Sequence, residues 1–159
     1  FMFEATLILI ISTALMLFYL QATCQKILRS RAHQEFYHSI VNANRLEFPF
    51  VRTAIEDYDA PLDYTRFRMQ LKCDFLALTY LMKNALNTSQ RLSRDEKFLV
   101  LYSQTLFSLL SMGHLFGFKE KALMLRLSAI LQHFGNVLGE RVSKVRLGNM
   151  TASEYLLTL

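Results

Sequence analysis

The chain has 159 residues, with 18 Lys and Arg against 13 Asp and Glu, a formal net charge of +5 and a mean hydropathy of +0.20. Hydrophobic residues make up 52% and charged residues 19%, which excludes the disordered class of low hydrophobicity and high charge. Two Cys exclude a disulfide-stapled scaffold, and five Gly with two Pro supply few turns for a β-sandwich or barrel, so the sequence predicts an all-α chain of about one domain.

The first element is an uncharged, apolar stretch. Residues 5–25 contain no charged side chain, and as a helix they would extend for roughly 30 Å, the thickness of the hydrocarbon core of a bilayer. Tyr19 lies near the end of the stretch, and Lys26, Arg29 and Arg31 follow it, an order typical of the end of a membrane helix. We predict a transmembrane anchor over residues 1–25, in contact with membrane lipid. A buried helix of a globular core is the alternative.

The anchor is predicted to be retained rather than cleaved. A signal peptide carries its basic residues before the apolar run, whereas here they follow it. The bulky Gln21 and Thr23 stand where a lipid-attachment site has small residues ahead of its Cys. We interpret Cys24 as a small apolar residue at the membrane edge, with reversible acylation as the alternative.

The basic flank of the anchor predicts its orientation. Positive residues stay on the cytoplasmic side of a membrane helix, and here Lys26, Arg29 and Arg31 follow the helix. We therefore predict a single-pass protein with its N-terminus outside and its C-terminal domain in the cytoplasm.

A second interpretation concerns the first residues. Phe1 precedes Met2, the natural start, so Phe1 is interpreted as a processing product or a cloning remnant. An N-terminal Phe, the early Glu4 and a long apolar helix resemble mature type IV pilins, although Glu4 stands one place earlier than the glutamate of that family and no strand-rich head follows. The resemblance implies an exported filament subunit that polymerises through its N-terminal helix.

Beyond the anchor, the apolar residues thin to a stripe along one helix face. We predict that the helix continues as an amphipathic stalk over residues 26–48, and that Pro49 interrupts it or begins a new turn. A short helix over residues 50–58, a turn at residues 59–61 and a helix from Tyr64 to about Leu86, capped by Asp63, are expected next.

The next predicted helix, residues 94–116, begins at a capping box formed by Ser93 and Glu96. Residues 98–118 contain no charged side chain, which leaves two interpretations open. We favour the central helix of a bundle, buried nearly all round, over a second membrane span, because Gln104 and His114 accompany several Ser and Thr residues.

The last long helix is predicted over residues 119–147. Gly135 and Gly139 lie inside it, four residues apart, where they would let a neighbouring helix approach closely, and Gly148 and Asn149 are expected to end it. A short final helix is expected to follow a second capping box at residues 151–154. Residues 49–159 are therefore predicted to form a compact bundle of four or five helices.

The polar residues predict no bond-making chemistry. The four His residues lack the spacing of a metal site, the basic residues form no concentrated stripe for nucleic acid, and neither a nucleophile turn nor a dinucleotide fingerprint occurs. We expect no cofactor, no metal and no enzymatic activity. A cavity lined by Tyr102, Gln104 and His114 is the one candidate pocket, and it would favour a small-ligand or lipid-binding domain.

The functional prediction is a membrane-tethered, non-enzymatic interaction or scaffold protein, such as an accessory subunit of a membrane complex. It rests on the apolar composition without a catalytic pattern and on the 13 Phe and 7 Tyr, which can fill a core and still leave anchors for a protein partner or a second copy. The pilin-like filament subunit and the ligand-binding domain are the alternatives.

Overall fold

The computed structural model describes residues 1–30, 35–57, 63–84, 92–116 and 119–149, without the side chains of residues 84, 114–116 and 144–149. The described residues form six α-helices and no strand, which confirms the all-α prediction. In chain order the helices are α1 (Met2–Ser30), α2 (Tyr37–Asn44), α3 (Phe48–Asp57), α4 (Tyr64–Asn84), α5 (Arg94–Phe116) and α6 (Glu120–Asn149). The predicted turn at residues 59–61 and the final helix lie outside the described residues.

The centre of the fold is α6, which touches each of the other five helices. Residues 133–139 of α6 are buried without interruption, although a helix packed on one side exposes part of every turn. Phe134 and Leu138 are among its fully buried side chains, and Asn136 is buried with them. The middle of α6 is therefore surrounded by neighbours on all sides.

The prediction that residues 94–116 form the central helix is wrong. One face of α5 contributes Leu99, Leu106 and Leu110 to the core, and the other exposes Leu101 and Gln104 to solvent. The uncharged Ser and Thr residues suit that exposed face because several of their hydroxyls donate to carbonyls one turn earlier in the helix. Among the residues that the structure describes, α1 is the one helix found to be long and apolar enough to cross a membrane.

The segment after α1 differs from the predicted continuous stalk over residues 26–48. The first helix ends at Ser30, and α2 is a separate helix that packs against α6. Arg45 ends α2 with a left-handed backbone conformation (φ 52°), which redirects the chain into α3.

Two glycines make the packing of α2 on α6 possible, as predicted. A Cβ on Gly135 would lie 2.8 Å from the Cβ of Tyr37, and a Cβ on Gly139 would lie 2.3 Å from the carbonyl oxygen of Phe36. Any side chain at either position would collide with the start of α2. The periodic pattern of residues 26–48 therefore belongs to two elements that share the core with α6.

Three predicted helix starts are confirmed. The carboxylate of Asp63 accepts a hydrogen bond from the backbone N–H of Arg66 at 3.2 Å, at the start of α4. At α5 the Glu96 carboxylate accepts from the Ser93 N–H at 2.9 Å, and the Ser93 hydroxyl accepts from the Glu96 N–H at 3.3 Å. Pro49 lies in the first turn of α3, where the missing N–H has no intrahelical partner to lose.

The far end of α6 lies close to the predicted position. Its last described residue is Asn149, one of the two residues expected to end the helix and two residues beyond the predicted boundary at residue 147. A glycine weakens a helix by only about 1 kcal/mol relative to Ala, so Gly148 can belong to the last turn.

Two buried carboxylates fix helices to one another. Asp74 of α4 is 6% exposed, and its Oδ2 accepts from the N–H groups of Glu47 (2.8 Å) and Phe48 (2.6 Å), so it caps α3 from a different helix. Glu96 is 3% exposed and pairs with Arg141 of α6. Sequence patterns show local caps, but they do not show these two contacts between distant segments.

Candidate membrane helix and basic cleft

The first half of α1 stands apart from the fold. Every residue from 1 to 19 is exposed, and only 6% of the most apolar 18-residue stretch of the helix is buried. We call residues 2–19 the outer segment; at 1.5 Å per residue it is about 27 Å long, close to the hydrocarbon thickness of a bilayer. The helix is thus long and apolar enough to span a membrane.

The two threonine hydroxyls of the outer segment are bonded within the helix. Thr6 donates to the carbonyl oxygen of Met2 and Thr13 donates to that of Leu9, each at 2.8 Å. Backbone and hydroxyl groups that are bonded inside the helix need no water, which is the condition that hydrocarbon imposes on a spanning segment.

The second half of α1, residues 20–30, belongs to the folded body, and we call it the inner segment. Leu20 is 5% exposed, Cys24 is fully buried, and Ile27 and Leu28 pack against the core. The thiol of Cys24 donates to the carbonyl oxygen of Phe98 in α5, 3.6 Å away. Cys24 is therefore a core residue, as its small-apolar interpretation predicts, and it is not accessible for acylation.

The predicted basic flank is present in part. Lys26 and Arg29 are exposed on the inner segment, and Arg31 lies outside the described residues. Their exposure fits either contact with lipid headgroups or contact with a ligand.

The predicted pocket residues do not come together. Tyr102 is 5% exposed and points into the core, where burial raises the pKa of its hydroxyl against the lowering effect of Arg126. Gln104 is exposed, about 200° further round α5. The side chain of His114 lies outside the described residues. Sequence spacing on one helix gave no reason to expect these residues to converge.

A different cavity lies where the inner segment meets α3 and α6. We call it the basic cleft; its volume is about 200 Å³ and it is lined by Leu28, Arg29, Arg52, Ala129, Gln132, His133 and Asn136. Two guanidinium groups and no carboxylate belong to this described lining. The cleft is therefore electropositive.

Hydrogen bonds set the orientation of the polar groups around the cleft. Arg52 donates from Nη1 to the side-chain oxygen of Gln132 at 2.5 Å and from Nε to Glu56 at 3.2 Å. The side-chain oxygen of Asn136 accepts from the backbone N–H of Tyr37 at 3.0 Å. Both carboxamide oxygens are thus engaged with the protein, which leaves their NH₂ groups as the other polar ends.

This cleft cannot be predicted from the sequence, because its residues come from three helices more than twenty residues apart. In the sequence Arg29 belongs to the basic flank of the apolar helix, and Arg52 and Gln132 belong to no motif. No signal short of the tertiary packing links them.

The described residues contain no group of three or more His, Cys, Asp and Glu side chains that could hold a metal ion. Comparisons of the chain with models of known families, with curated proteins and with solved structures found no match.

Proposed function

We propose that this chain is a membrane-tethered, non-enzymatic interaction protein, such as an accessory subunit of a membrane complex. In this proposal the outer segment of α1 is the anchor, and the inner segment with the five helices α2 to α6 forms the interacting body. The observation that supports the proposal most strongly is that α1 is one continuous helix whose first part is exposed and apolar and whose second part is packed into the core.

The packed inner segment favours retention over cleavage. A signal sequence of equal length and hydropathy is removed from the mature chain. Cleavage near Ala22 would cut α1 between Leu20 and Cys24, two side chains that both belong to the hydrophobic core. The body would then lose core contacts that stabilise it, so a retained anchor fits this packing better.

The orientation remains as the basic flank predicts it. Lys26 and Arg29, exposed just beyond the outer segment, favour the cytoplasmic side for the body, with the N-terminus outside.

A single thiol on the exposed face of α5 provides a direct test of this orientation. Of the two native Cys, Cys24 is buried and Cys73 lies on α4, so Ser108→Cys in a Cys73→Ser background places one exposed thiol on α5 instead. A membrane-impermeant maleimide should label this thiol in inside-out vesicles and leave it unlabelled in right-side-out vesicles. Cys73→Ser alone is the control and should give no label. Labelling from the outer face alone would contradict the orientation, and labelling of vesicles opened by detergent confirms that the thiol is reactive.

The interaction part of the proposal is supported by an apolar stripe on α4. The stripe consists of Met69, Cys73, Leu76 and Tyr80, whose spacings of four, three and four residues place them on one helix face. Met69, Leu76 and Tyr80 are 65%, 59% and 66% exposed. Met and Tyr are enriched at protein interfaces, and a continuous apolar row is more informative than scattered exposed residues.

A charge placed in this stripe tests the interaction. Extracted in mild detergent, the chain should run as a complex with a stoichiometric partner or second copy, larger than the 18.5 kDa monomer. Leu76→Lys should release the partner, because it puts a charge into the contact. Leu101→Lys is the matched control, since Leu101 is a similarly exposed leucine (51%) on α5. A monomer with a turnover activity, or equal behaviour of both variants, would reject the proposal.

A further inference from the structure

Apart from His133, the polar side chains that line the basic cleft offer hydrogen-bond donors to a ligand. Arg29 is exposed at its edge and, among the residues that the structure describes, forms no hydrogen bond or ion pair. Arg52 uses two of the five N–H groups of its guanidinium, toward Gln132 and Glu56, and keeps the others. Glu56 itself is not one of the lining residues. The guanidinium of Arg29 thus faces a cavity that contains no opposing carboxylate.

The carboxamide groups add to the same polarity. Because the side-chain oxygens of Gln132 and Asn136 already accept hydrogen bonds from Arg52 and the N–H of Tyr37, their NH₂ ends are the groups left to meet a ligand. The two guanidinium groups and the two amide NH₂ groups are complementary to a negatively charged group that only accepts hydrogen bonds. Planar guanidinium groups bind phosphate oxygens in pairs, which makes the phosphoryl group the best match.

The size of the cleft limits the ligand. Its volume of about 200 Å³ is below the range of about 300–1,000 Å³ typical of clefts that take drug-sized ligands. A phosphate or a small phosphomonoester fits this space, whereas a nucleotide exceeds it. Leu28 and Ala129 supply an apolar wall for a short carbon chain attached to the phosphoryl group.

We propose that the cleft formed by Arg29, Arg52, Gln132 and Asn136 is a binding site for a small phosphoryl group. The group can come from a soluble phosphomonoester or from a lipid headgroup, and the chemistry that recognises it is the same. The site lies in the folded body, so the proposal goes beyond the proposed function and does not depend on it.

The test measures the affinity of the full chain for inorganic phosphate by calorimetric titration in neutral detergent. A titration with sodium chloride of equal ionic strength is the control. Arg29→Gln should weaken phosphate binding about tenfold or more, the loss expected for a charge-assisted contact. Lys26→Gln removes an exposed positive charge from the same helix, one turn away and outside the cleft, and should change the affinity by less than about twofold because exposed charges are screened.

A second variant tests the cavity rather than the charge. Ala129→Leu leaves every charge in place and fills space inside the cleft, so it should also abolish phosphate binding. Circular dichroism of both cleft variants should match that of the wild type, since Arg29 is exposed and Leu is a good helix former.

A second titration distinguishes a lipid headgroup from a soluble phosphomonoester as the source of the phosphoryl group. Phosphate binding is measured for the chain in nanodiscs of phosphatidylcholine, with and without phosphatidic acid. If a headgroup reaches the cleft, phosphatidic acid will block inorganic phosphate; if the ligand is soluble, phosphate will bind equally in both. Absence of phosphate binding beyond the chloride control, or equal weakening by Arg29→Gln and Lys26→Gln, would overturn the proposal.

Discussion

A single oxygen atom of Asp74 stabilises the start of α3. Its Oδ2 accepts both N–H groups at the start of α3, and the carboxyl group is almost fully buried. Asp74→Ala would leave the buried N–H of Phe48 and the part-buried N–H of Glu47 without this acceptor, which should lower the free energy of unfolding by about 2–4 kcal/mol. Thermal unfolding of the full chain in neutral detergent measures this, since about 1 kcal/mol shifts the Tm of a chain of this size by roughly 2–4 °C.

Asp74→Asn is the matched control, because its amide oxygen can accept the same two bonds. It should lose much less stability than Asp74→Ala. Equal losses in the two variants would show that α3 does not depend on this acceptor.

The burial of the Asp74 carboxyl group also predicts that the free energy of unfolding depends on pH. Burial raises the pKa of the Asp74 carboxyl above its ordinary value of 3.8, against the lowering effect of the two N–H bonds. The folded state therefore holds this proton more tightly than the unfolded state does. The stability that protonation contributes is fully present below about pH 4 and is lost as the pH rises through the raised pKa.

Asparagine does not titrate, so Asp74→Asn isolates this effect. As the pH rises from about 4 toward 7, the wild type should lose free energy of unfolding relative to Asp74→Asn. Unfolding curves across that range provide the measurement, and a difference that stays constant or grows in favour of the wild type would contradict a raised pKa.

At the residue scale, the sequence reveals contacts made within one turn. Asp63, Ser93 and Glu96 cap the helices that immediately follow them, and they could be predicted because capping has a fixed spacing. Asp74 caps a helix 26 residues earlier in the chain, where no spacing rule applies.

At the scale of elements, the contact between α2 and α6 depends on the absence of side chains. A Cβ on Gly139 would lie 2.3 Å from the backbone oxygen of Phe36, which cannot move without shifting α2. Gly139→Ala should therefore lower the free energy of unfolding by about 1–3 kcal/mol, in spite of the better helix propensity of Ala.

Gly113→Ala is the control for helix propensity. A Cβ at Gly113 would lie 3.5 Å from the nearest atom of Glu120, an ordinary contact, so this change should stabilise α5 by up to about 1 kcal/mol. Thermal unfolding compares the two variants. If Gly139→Ala stabilises the chain as much as Gly113→Ala does, α2 does not pack as closely as described.

Helices were predicted well where each has its own start signal and periodicity. The bounds of α5 agree with prediction, and those of α3, α4 and α6 differ from it by a few residues at most. The placement of the helices could not be predicted in the same way. Absence of charge suggested a central α5, but α6 is central because it is apolar on several faces and carries the two glycines that α2 requires.

At the scale of the whole molecule, α1 has two different surroundings. Its outer segment has the length and composition that suit hydrocarbon, and its inner segment packs into the core of the folded body. Composition revealed the first property, because residues 5–25 combine the absence of charge with high hydropathy, whereas the equally long uncharged run at residues 98–118 also contains Gln, His and several Ser and Thr residues. The second property, and the basic cleft beside it, needed the tertiary structure, because Arg29, Arg52 and Asn136 are far apart in sequence.

The central claim is that α1 is a retained anchor joined rigidly to a folded body. Its most direct test compares alkaline extraction of membranes containing the full chain with that of a chain whose residues 2–18 are deleted. The full chain should stay in the membrane pellet. The shortened chain should be extracted, soluble without detergent and helical, because Leu20 and Cys24 remain in its core. Release of the full chain into the alkaline supernatant would show that α1 does not anchor the chain.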